Sequence, residues 1–370
     1  MVLKKLPDIC HIQYGYAFDS SNFSESEGVP LVRIRDVVRG YSETYTTERC
    51  GDEYIVQNGD MLIGMDGEFN IARWKGGKAY LNQRVCRLIP KDDVEALYLF
   101  YFMPSALKAI EEKTPFVTVK HLSARELNKV LVPVPLVEEQ QRIANKLKNV
   151  DDLISFRQEQ LAKLDELVKS RFIELFDACN CRISTFGKEF SFISRGKSPS
   201  YVELSDLAVI NQACIYWNGL NFDKVKYNDV SYSGDRILQF GDVLVNSTGT
   251  GTLGRANIFM RRSADKRYMA DSHVTIIRGS VSCHPVYIKC YLEHAKIQDA
   301  IYRNCVSGST NQIELSKEKF KELELPVPPM TLQQQFAAFV EQTDKSKLAI
   351  QESLAELEIL KKALMQKYFG

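Results

Sequence analysis

The sequence predicts an α+β protein built from two similar domains of mixed α/β structure, each closed by a long helix. Residues 132–176 return as residues 325–369, every position displaced by 193. Pro133 meets Pro326, Pro135 meets Pro328, Gln140-Gln141 meets Gln333-Gln334, and Asp151, Leu161 and Phe176 meet Asp344, Leu354 and Phe369. Both copies carry an apolar seam with the spacing of a coiled coil. Ahead of each lies a segment of short strand-like runs broken by Gly- and Asp-bearing turns. The spacing therefore divides the chain into a first domain (1–131), a first long helix (132–177), a second domain (178–324) and a second long helix (325–370).

The first seam is Ile143, Leu147, Val150, Ile154, Leu161, Leu164, Val168 and Leu175, with Arg157 and Arg171 in its gaps. The second is Phe336, Val340, Ile350, Leu354, Leu357, Leu364 and Tyr368, interrupted by Thr343, Lys347 and Lys361. Steps of three and four residues over five heptads, with no Gly or Pro after the start, predict rods of roughly 58 Å at about 1.5 Å per residue. The prolines sit just ahead of each helix, where a missing N–H costs little.

In the first domain, strands are expected at 30–37, 60–65, 78–89 and 116–122, with turns at Gly40, Asn58-Gly59, Asp66-Gly67 and Gly76-Gly77. A helix is expected from Val94 to about Lys113, kinked by Pro104. In the second, 240–255 aligns with 58–73, so that Gly241, Asp242, Gly249 and Arg255 meet Gly59, Asp60, Gly67 and Arg73. Further on, 310–316 aligns with 117–123 at the larger displacement of 193, and the loop after Arg255 is the simplest place for the growth.

Length and composition narrow the function. At 370 residues two or more domains are expected, and no run approaches the ~20 apolar residues of a membrane span or a long apolar signal core. Nine scattered cysteines without a CxxC pair point to reduced thiols in a cytoplasm, not to a disulfide framework or a zinc site. The net charge of +1 is silent about nucleic acid, but its distribution is not. Residues 69–90 hold five basic groups and no acidic one, and 255–267 hold five against Asp265 alone.

No catalytic centre is legible. GTGTLG (249–254) fits a dinucleotide-loop pattern but is followed by another extended basic stretch where a helix is needed. RGKS (195–198) lacks the first glycine of a phosphate loop, and Glu111-Glu112-Lys113 sits at a helix end. The histidines form no metal-spaced cluster, and VPPM (327–330) is a poor match to the tetrapeptide of adenine methyltransferases. Neither catalytic nor cofactor nor metal residues are assigned.

What remains can read DNA. The candidates after the first Gly loop are Arg73, Trp74, Lys75, Lys78, Asn82, Gln83 and Arg84. Those after the second are Arg255, Asn257, Arg261, Arg262, Lys266, Arg267 and His273. Two further loop elements join them: YGYAF (14–18) with Arg33 and Arg35, and Arg195, Lys197, Asn211 and Gln212 in the second copy. Lys and Arg neutralise phosphates, Arg pairs bidentately with guanine, and Asn or Gln with adenine.

The Pro-x-Pro…Gln-Gln lead into a heptad helix, duplicated after two variable domains that share GDMLIG and GDVLVN, resembles Type I restriction–modification DNA specificity subunits over essentially the whole length. The resemblance implies that each domain is a target-recognition domain for one half of a split, asymmetric double-stranded DNA site. It implies that the two helices pack antiparallel as a coiled-coil ruler, and that the chain is not itself an enzyme. It further implies two methylation subunits forming an adenine N6-methyltransferase with S-adenosylmethionine and, only where the system also cleaves, two ATP- and Mg-dependent translocase–endonuclease subunits, with every cofactor on the partners. The second copy departs from the first at Thr331-Leu332 and Gln335-Phe336, against Glu138-Glu139 and Arg142-Ile143, so the two ends need not bind partners equally. A stand-alone tandem DNA-binding regulator without methylation partners, or a protein-binding scaffold, remains open at this point.

Overall fold

A computed structural model describes residues 2–370 apart from 115–119, 178, 230–231, 262–265 and 309–312. The chain forms two compact units, Met1–Glu159 with Gln351–Gly370, and Gln160–Ile350. Each unit thus contains one mixed domain together with part of both long helices. Those helices span Val137–Phe176 and Met330–Phe369, 40 residues each and displaced by the same 193 that the sequence repeat shows.

Within each unit the two helices run antiparallel. In the first, Ile143 and Leu147 pack with Leu364, Met365 and Tyr368, while Lys361 reaches Asp151 at 2.6 Å. In the second, Phe172 and Phe176 pack with Phe336 and Val340, while Lys347 reaches Asp165 at 2.6 Å. Every expected seam residue, from Ile143 through Val168 and from Phe336 through Leu364, is buried or half-buried, as a coiled-coil seam requires. The polar interruptions are accommodated one by one. Lys347 and Lys361 carry their charge to aspartates, and Thr343 bonds back to the Phe339 carbonyl.

The two domains share a topology. The first has a sheet ordered Cys10–Tyr14, Val85–Pro90, Met61–Gly64, Ile71–Arg73, and the second a sheet ordered Phe192–Arg195, Val274–Arg278, Val243–Asn246, Ala256–Ile258. The helix Ala96–Lys113 covers the first sheet with Leu99, Met103 and Leu107, and Pro285–Glu293 covers the second with Ile288 and Leu292. A second sheet in each domain contains one parallel pair, Val29–Val32 with Ala79–Leu81 and Leu207–Ile210 with Arg267–Ala270. The expected helix from Val94 begins at Ala96, because the Glu95 side chain caps the Leu97 N–H, and it continues through Pro104.

Two strand expectations are corrected. Residues 30–37 split into a strand ending at Val32 and a helix Ile34–Arg39, because the Asp36 carboxylate accepts the Arg33 N–H at 2.9 Å and fixes a helix start. Residues 78–89 break into Ala79–Leu81 and Val85–Pro90 in different sheets, because the Asn82 side chain and carbonyl accept the N–H groups of Arg84 and Val85 and close a turn. Strand 60–65 is found at Met61–Gly64. Of 116–122, residues 116–119 lie outside the described residues, as do 310–312 of its second copy.

The shared Gly-Asp pair explains itself. Gly59 and Gly241 have φ of 97° and 90°, a region costly for any side chain. Asp60 and Asp242 accept the N–H groups of Gln57 and Gln239 across that turn, and receive Arg87 and Arg278 from the neighbouring strand at 3.0 and 2.6 Å.

The lead into each long helix is a joint. Gln140 and Gln333 are fully buried while Gln141 and Gln334 are exposed. The Gln140 amide oxygen accepts the Glu95 N–H at 2.9 Å, and its nitrogen donates to the carbonyls of Pro135 and Asp93. Gln333 repeats this with the His284 N–H and the carbonyls of Pro328 and Ser282. Tyr98 and Tyr287 complete the match by donating to the carbonyls of Pro133 and Pro326. One buried amide therefore ties the domain helix, the proline strand and the long helix together. Replacing Gln140 by Ala leaves three backbone groups without partners and is expected to cost about 2–4 kcal/mol in urea unfolding, whereas Gln141→Ala is expected to stay within about 0.5 kcal/mol.

At the second joint, Arg182, Ser184 and Ser282 all donate to Glu189, and the Arg182 guanidinium does most to pull that carboxyl down from 4.5 to about 2. A depressed carboxyl stabilises the fold above its unfolded pKa and loses that contribution as the pH falls through its folded one. Arg182→Ala is therefore expected to destabilise the protein at pH 7 and to lose most of that effect near pH 2, measured by denaturant titration at both pH values.

Candidate nucleic-acid interface

In each domain the loops at one end of the sheets are held by the same hydrogen bonds. The Met65 N–H donates to the Arg84 carbonyl, and the Ser247 N–H to the His273 carbonyl. Asn82 and Asp271 each cap the N–H two residues ahead, that of Arg84 and that of His273. Isolated bridges pair Asp66 with His121 and Thr248 with Glu314. Gly15 and Gly196 pack so tightly on the neighbouring loop that a Cβ would sit 2.1 Å from the carbonyl oxygens of Asn82 and Ala270, so both positions demand glycine.

On this common frame the side chains differ. By ladder register, Tyr14 of the first domain stands where Arg195 stands in the second. Tyr16 answers to Lys197, Arg33 to Asn211, Asp66 to Thr248, Asn82 to Asp271, Gln83 to Ser272, Arg84 to His273 and His121 to Glu314. Burial pushes the Asp271 carboxyl up, while its first-domain equivalent Asn82 is neutral.

The first domain's loop end opens as a cleft of about 410 Å³ lined by Phe18, Phe23, Arg33, Arg35, Asn82, Gln83 and Arg84 among others. Arg33, Arg35, Gln83 and Arg84 are exposed. Arg35 leans on Thr44 and Asp36, and Arg33 lies 5.9 Å from the Phe23 ring. In the second domain, Gln212 accepts from Thr248, which also contacts His273 at 3.1 Å. Arg195 pairs with Glu314 at 3.1 Å, Lys197 lies over the Tyr232 ring, and the Arg255 guanidinium lies 6.0 Å from the Tyr216 ring.

Several candidates fall elsewhere. Trp74 is 1% exposed in the core beside Val56 and Leu62, donating to the Gly77 carbonyl, and is a packing residue. Arg73, Lys75 and Lys78 are exposed at the opposite ends of their strands. There Arg73 shares a cleft of about 280 Å³ with Glu95 and Leu97, beside the root of the long helix. The alignment of Arg73 with Arg255 does not survive the register. Arg73 pairs with Met61 at the far end of the hairpin, a position held by Ile258 opposite Val243, while Arg255 answers to Asn70. The second Gly loop is longer, and Gly249, Gly251 and Gly254 at φ of 93°, 79° and 84° absorb the difference. The growth in displacement is thus spread over this loop and later segments, not confined to the loop after Arg255. A strand, Ala256–Ile258, follows the Gly loop.

Arg261 stacks 3.6 Å from the Phe222 ring and donates to Tyr268, and Lys266 donates to Tyr227, so both brace the fold away from the loop end. Arg267 is exposed at the start of its strand, and Arg262 lies outside the described residues. Asn211 is buried, capping the Ala213 N–H and donating to the Lys224 carbonyl. Asn257 donates to the carbonyls of Tyr216 and Trp217. Asn211 is therefore a frame residue with both ends of its amide bonded, and Asn82, buried, gives its side-chain oxygen to the Arg84 N–H. Sequence reasoning passed over Asp66, Thr248, His121 and Glu314, although the two repeat displacements already aligned them in pairs.

A family model described as the Type I restriction modification DNA specificity domain matches residues 1–166 and 184–359. The Escherichia coli Type I restriction enzyme EcoBI specificity subunit is 27% identical over 98% of this chain and 84% of its own length. The MjaVIII specificity subunit of Methanocaldococcus jannaschii is 24% identical over 60% of this chain and 58% of its own length. Among solved structures, the Type I restriction–modification S subunit from M. genitalium matches the whole chain and 96% of its own length at a TM-score of 0.60 and 13% identity. A chain from a structure on complex assembly and conformational transition of the type I R-M system matches at 0.60 and 18%, over the whole chain and 97% of its own. With two specificity domains matched and the duplicated fold that the sequence predicted, this chain belongs to the family of Type I restriction–modification DNA specificity subunits.

Proposed function

We propose that each domain reads one half of a bipartite, asymmetric DNA site through its loop end, that the paired helices fix the gap, and that the chain performs no chemistry itself. The observation that carries this reading is the shared loop frame with exchanged side chains, Arg84 against His273 and Asp66 against Thr248. A protein whose two halves do one job on two different sequences needs a constant frame and variable contacts.

The chemistry belongs to partners. Two methylation subunits supply an adenine N6-methyltransferase and bind S-adenosylmethionine; where the complex also cleaves, two translocase–endonuclease subunits bring ATP and Mg. Exposed Leu153, Phe156 and Ile359 on the first unit's helices, and Leu167 and Leu348 on the second's, support docking of partner helices along the rods. The two ends differ, since Glu139 pairs with Arg142 where the second copy has Leu332 and Gln335, so partner contacts at the two ends need not be equivalent. No helix is long and apolar enough to cross a membrane among the described residues, which fits action on DNA in the cytoplasm.

The purified chain with its methylation subunit is expected to shift a cognate duplex with strong salt dependence, and weakly or without specificity when alone. Tight, specific binding by the chain alone would instead favour a stand-alone regulator. Removing matched heptads from both helices shortens a rod by about 10 Å, equivalent to about three base pairs. N6-methyladenine mapping is then expected to show a shorter gap with both half-sites unchanged; new recognised bases across an unchanged gap would refute the ruler.

A further inference from the structure

We propose that Arg84 makes the first domain demand a guanine in its half-site, and that His273, at the same place in the second domain, disfavours guanine there. The inference rests on the DNA-reading function proposed above and names the residue that sets one base of it.

The equivalence of the two positions is a matter of backbone, not of alignment. The carbonyls of Arg84 and His273 accept from Met65 and Ser247 at 3.0 and 2.8 Å. Their N–H groups donate to Asn82 and Asp271 at 3.2 and 2.5 Å, and the next residues, Val85 and Val274, donate to the carbonyls of Asn82 and Asp271 at 2.9 and 3.0 Å. Each side chain thus leaves an identically braced turn, and both are exposed.

The surroundings then set opposite hydrogen-bonding character. Asp66 lies 3.6 Å from the Arg84 Nε, and its other oxygen is held by the His121 ring at 2.5 Å. The carboxylate therefore faces the Nε edge of the guanidinium, and both terminal nitrogens make no hydrogen bond among the described residues. Two parallel donors on a planar, buttressed group match O6 and N7 of guanine, the only base with two acceptors side by side on its major-groove edge. The group borders the first domain's loop cleft, which also holds Arg33 and Gln83.

In the second domain Thr248 replaces Asp66 and donates to the Gln212 amide oxygen at 3.0 Å. Its single hydroxyl proton is then committed, so the 3.1 Å contact with His273 Nδ1 requires the ring to donate there. In the neutral ring the remaining nitrogen, Nε2, then presents an acceptor. An acceptor opposite O6 or N7 is repulsive, whereas the amino group of adenine or cytosine satisfies it. One backbone position thus offers a donor fork in one domain and an acceptor in the other.

The test is N6-methyladenine mapping in a host without other adenine methylation, with the full chain expressed beside its methylation subunit. Arg84→Ala and Arg84→Lys are each expected to turn one guanine of one half-site degenerate, with discrimination lost on the order of ten- to a hundredfold and the other half intact. Lysine fails because it keeps the charge but not the fork. The paired replacement of Thr248 by Asp and His273 by Arg is expected to create a guanine requirement in the other half. An unchanged motif with uniformly weaker methylation would mark Arg84 as a phosphate contact and overturn the inference while leaving the DNA-reading function standing. Loss of a requirement for any base other than guanine would overturn it as well. A wild-type chain that yields no bipartite motif would overturn both.

Discussion

A single buried amide at the root of each long helix is the constraint on which the rest of this structure depends. Gln140 and Gln333 each satisfy one N–H and two carbonyls that would otherwise be stranded inside the protein. Because those groups come from two segments, the lead into the domain helix and the end of the proline-bearing strand, both are locked to the heptad helix that carries the amide. A loop that merely linked domain to helix would let the domain swing; a buried, fully paired amide does not. Orientation of each reading surface with respect to its own rod is thereby inherited from the sequence Pro-x-Pro…Gln.

From that joint outward the two halves diverge in a graded way. The helix seams keep their spacing, the Gly-Asp turn keeps its φ angles and its arginine, and the loop frame keeps its carbonyl-to-amide bonds. Residue types already change inside these elements, Asn82 answering to Asp271 in the frame and Ile143 to Phe336 in the seam, but the geometry is kept. The joint itself tolerates variation in its outer support: Lys4 pairs with Asp93 in the first domain, whereas Ser184 and Ser282 converge on Glu189 in the second. Constant geometry with replaceable contacts is what an interface needs if its halves are to acquire new targets without refolding.

Much of this was legible in the sequence, and the failures have physical reasons. The long helices were recovered in full, because forty residues without Gly or Pro carry enough apolar repeats to fix both period and length. The Gln-Gln pair was visible as a repeat, but its division into one buried and one exposed residue depends on a tertiary contact with Glu95 or His284. Strand 30–37 was misjudged because Asp36 capping its own backbone outweighs the β-propensity of Val and Ile. The basic runs misled most. Arg73 and Arg84 lie eleven residues apart, yet a strand and a turn carry them to different ends of the domain. Charge density along a chain says nothing about which way a ladder points, and the Gly loop's extra length broke the apparent match of Arg73 with Arg255.

The central claim is that recognition is carried by an interchangeable domain seated on a joint that both halves share. It is tested most directly by replacing residues 2–135 with a second copy of the second domain, spliced so that each Gln-bearing joint is intact, and sequencing the N6-methyladenine left by the resulting complex. The account predicts a site composed of two copies of one original half. Retention of the original asymmetric site, or a folded complex that methylates without regard to the duplicated half, would contradict it.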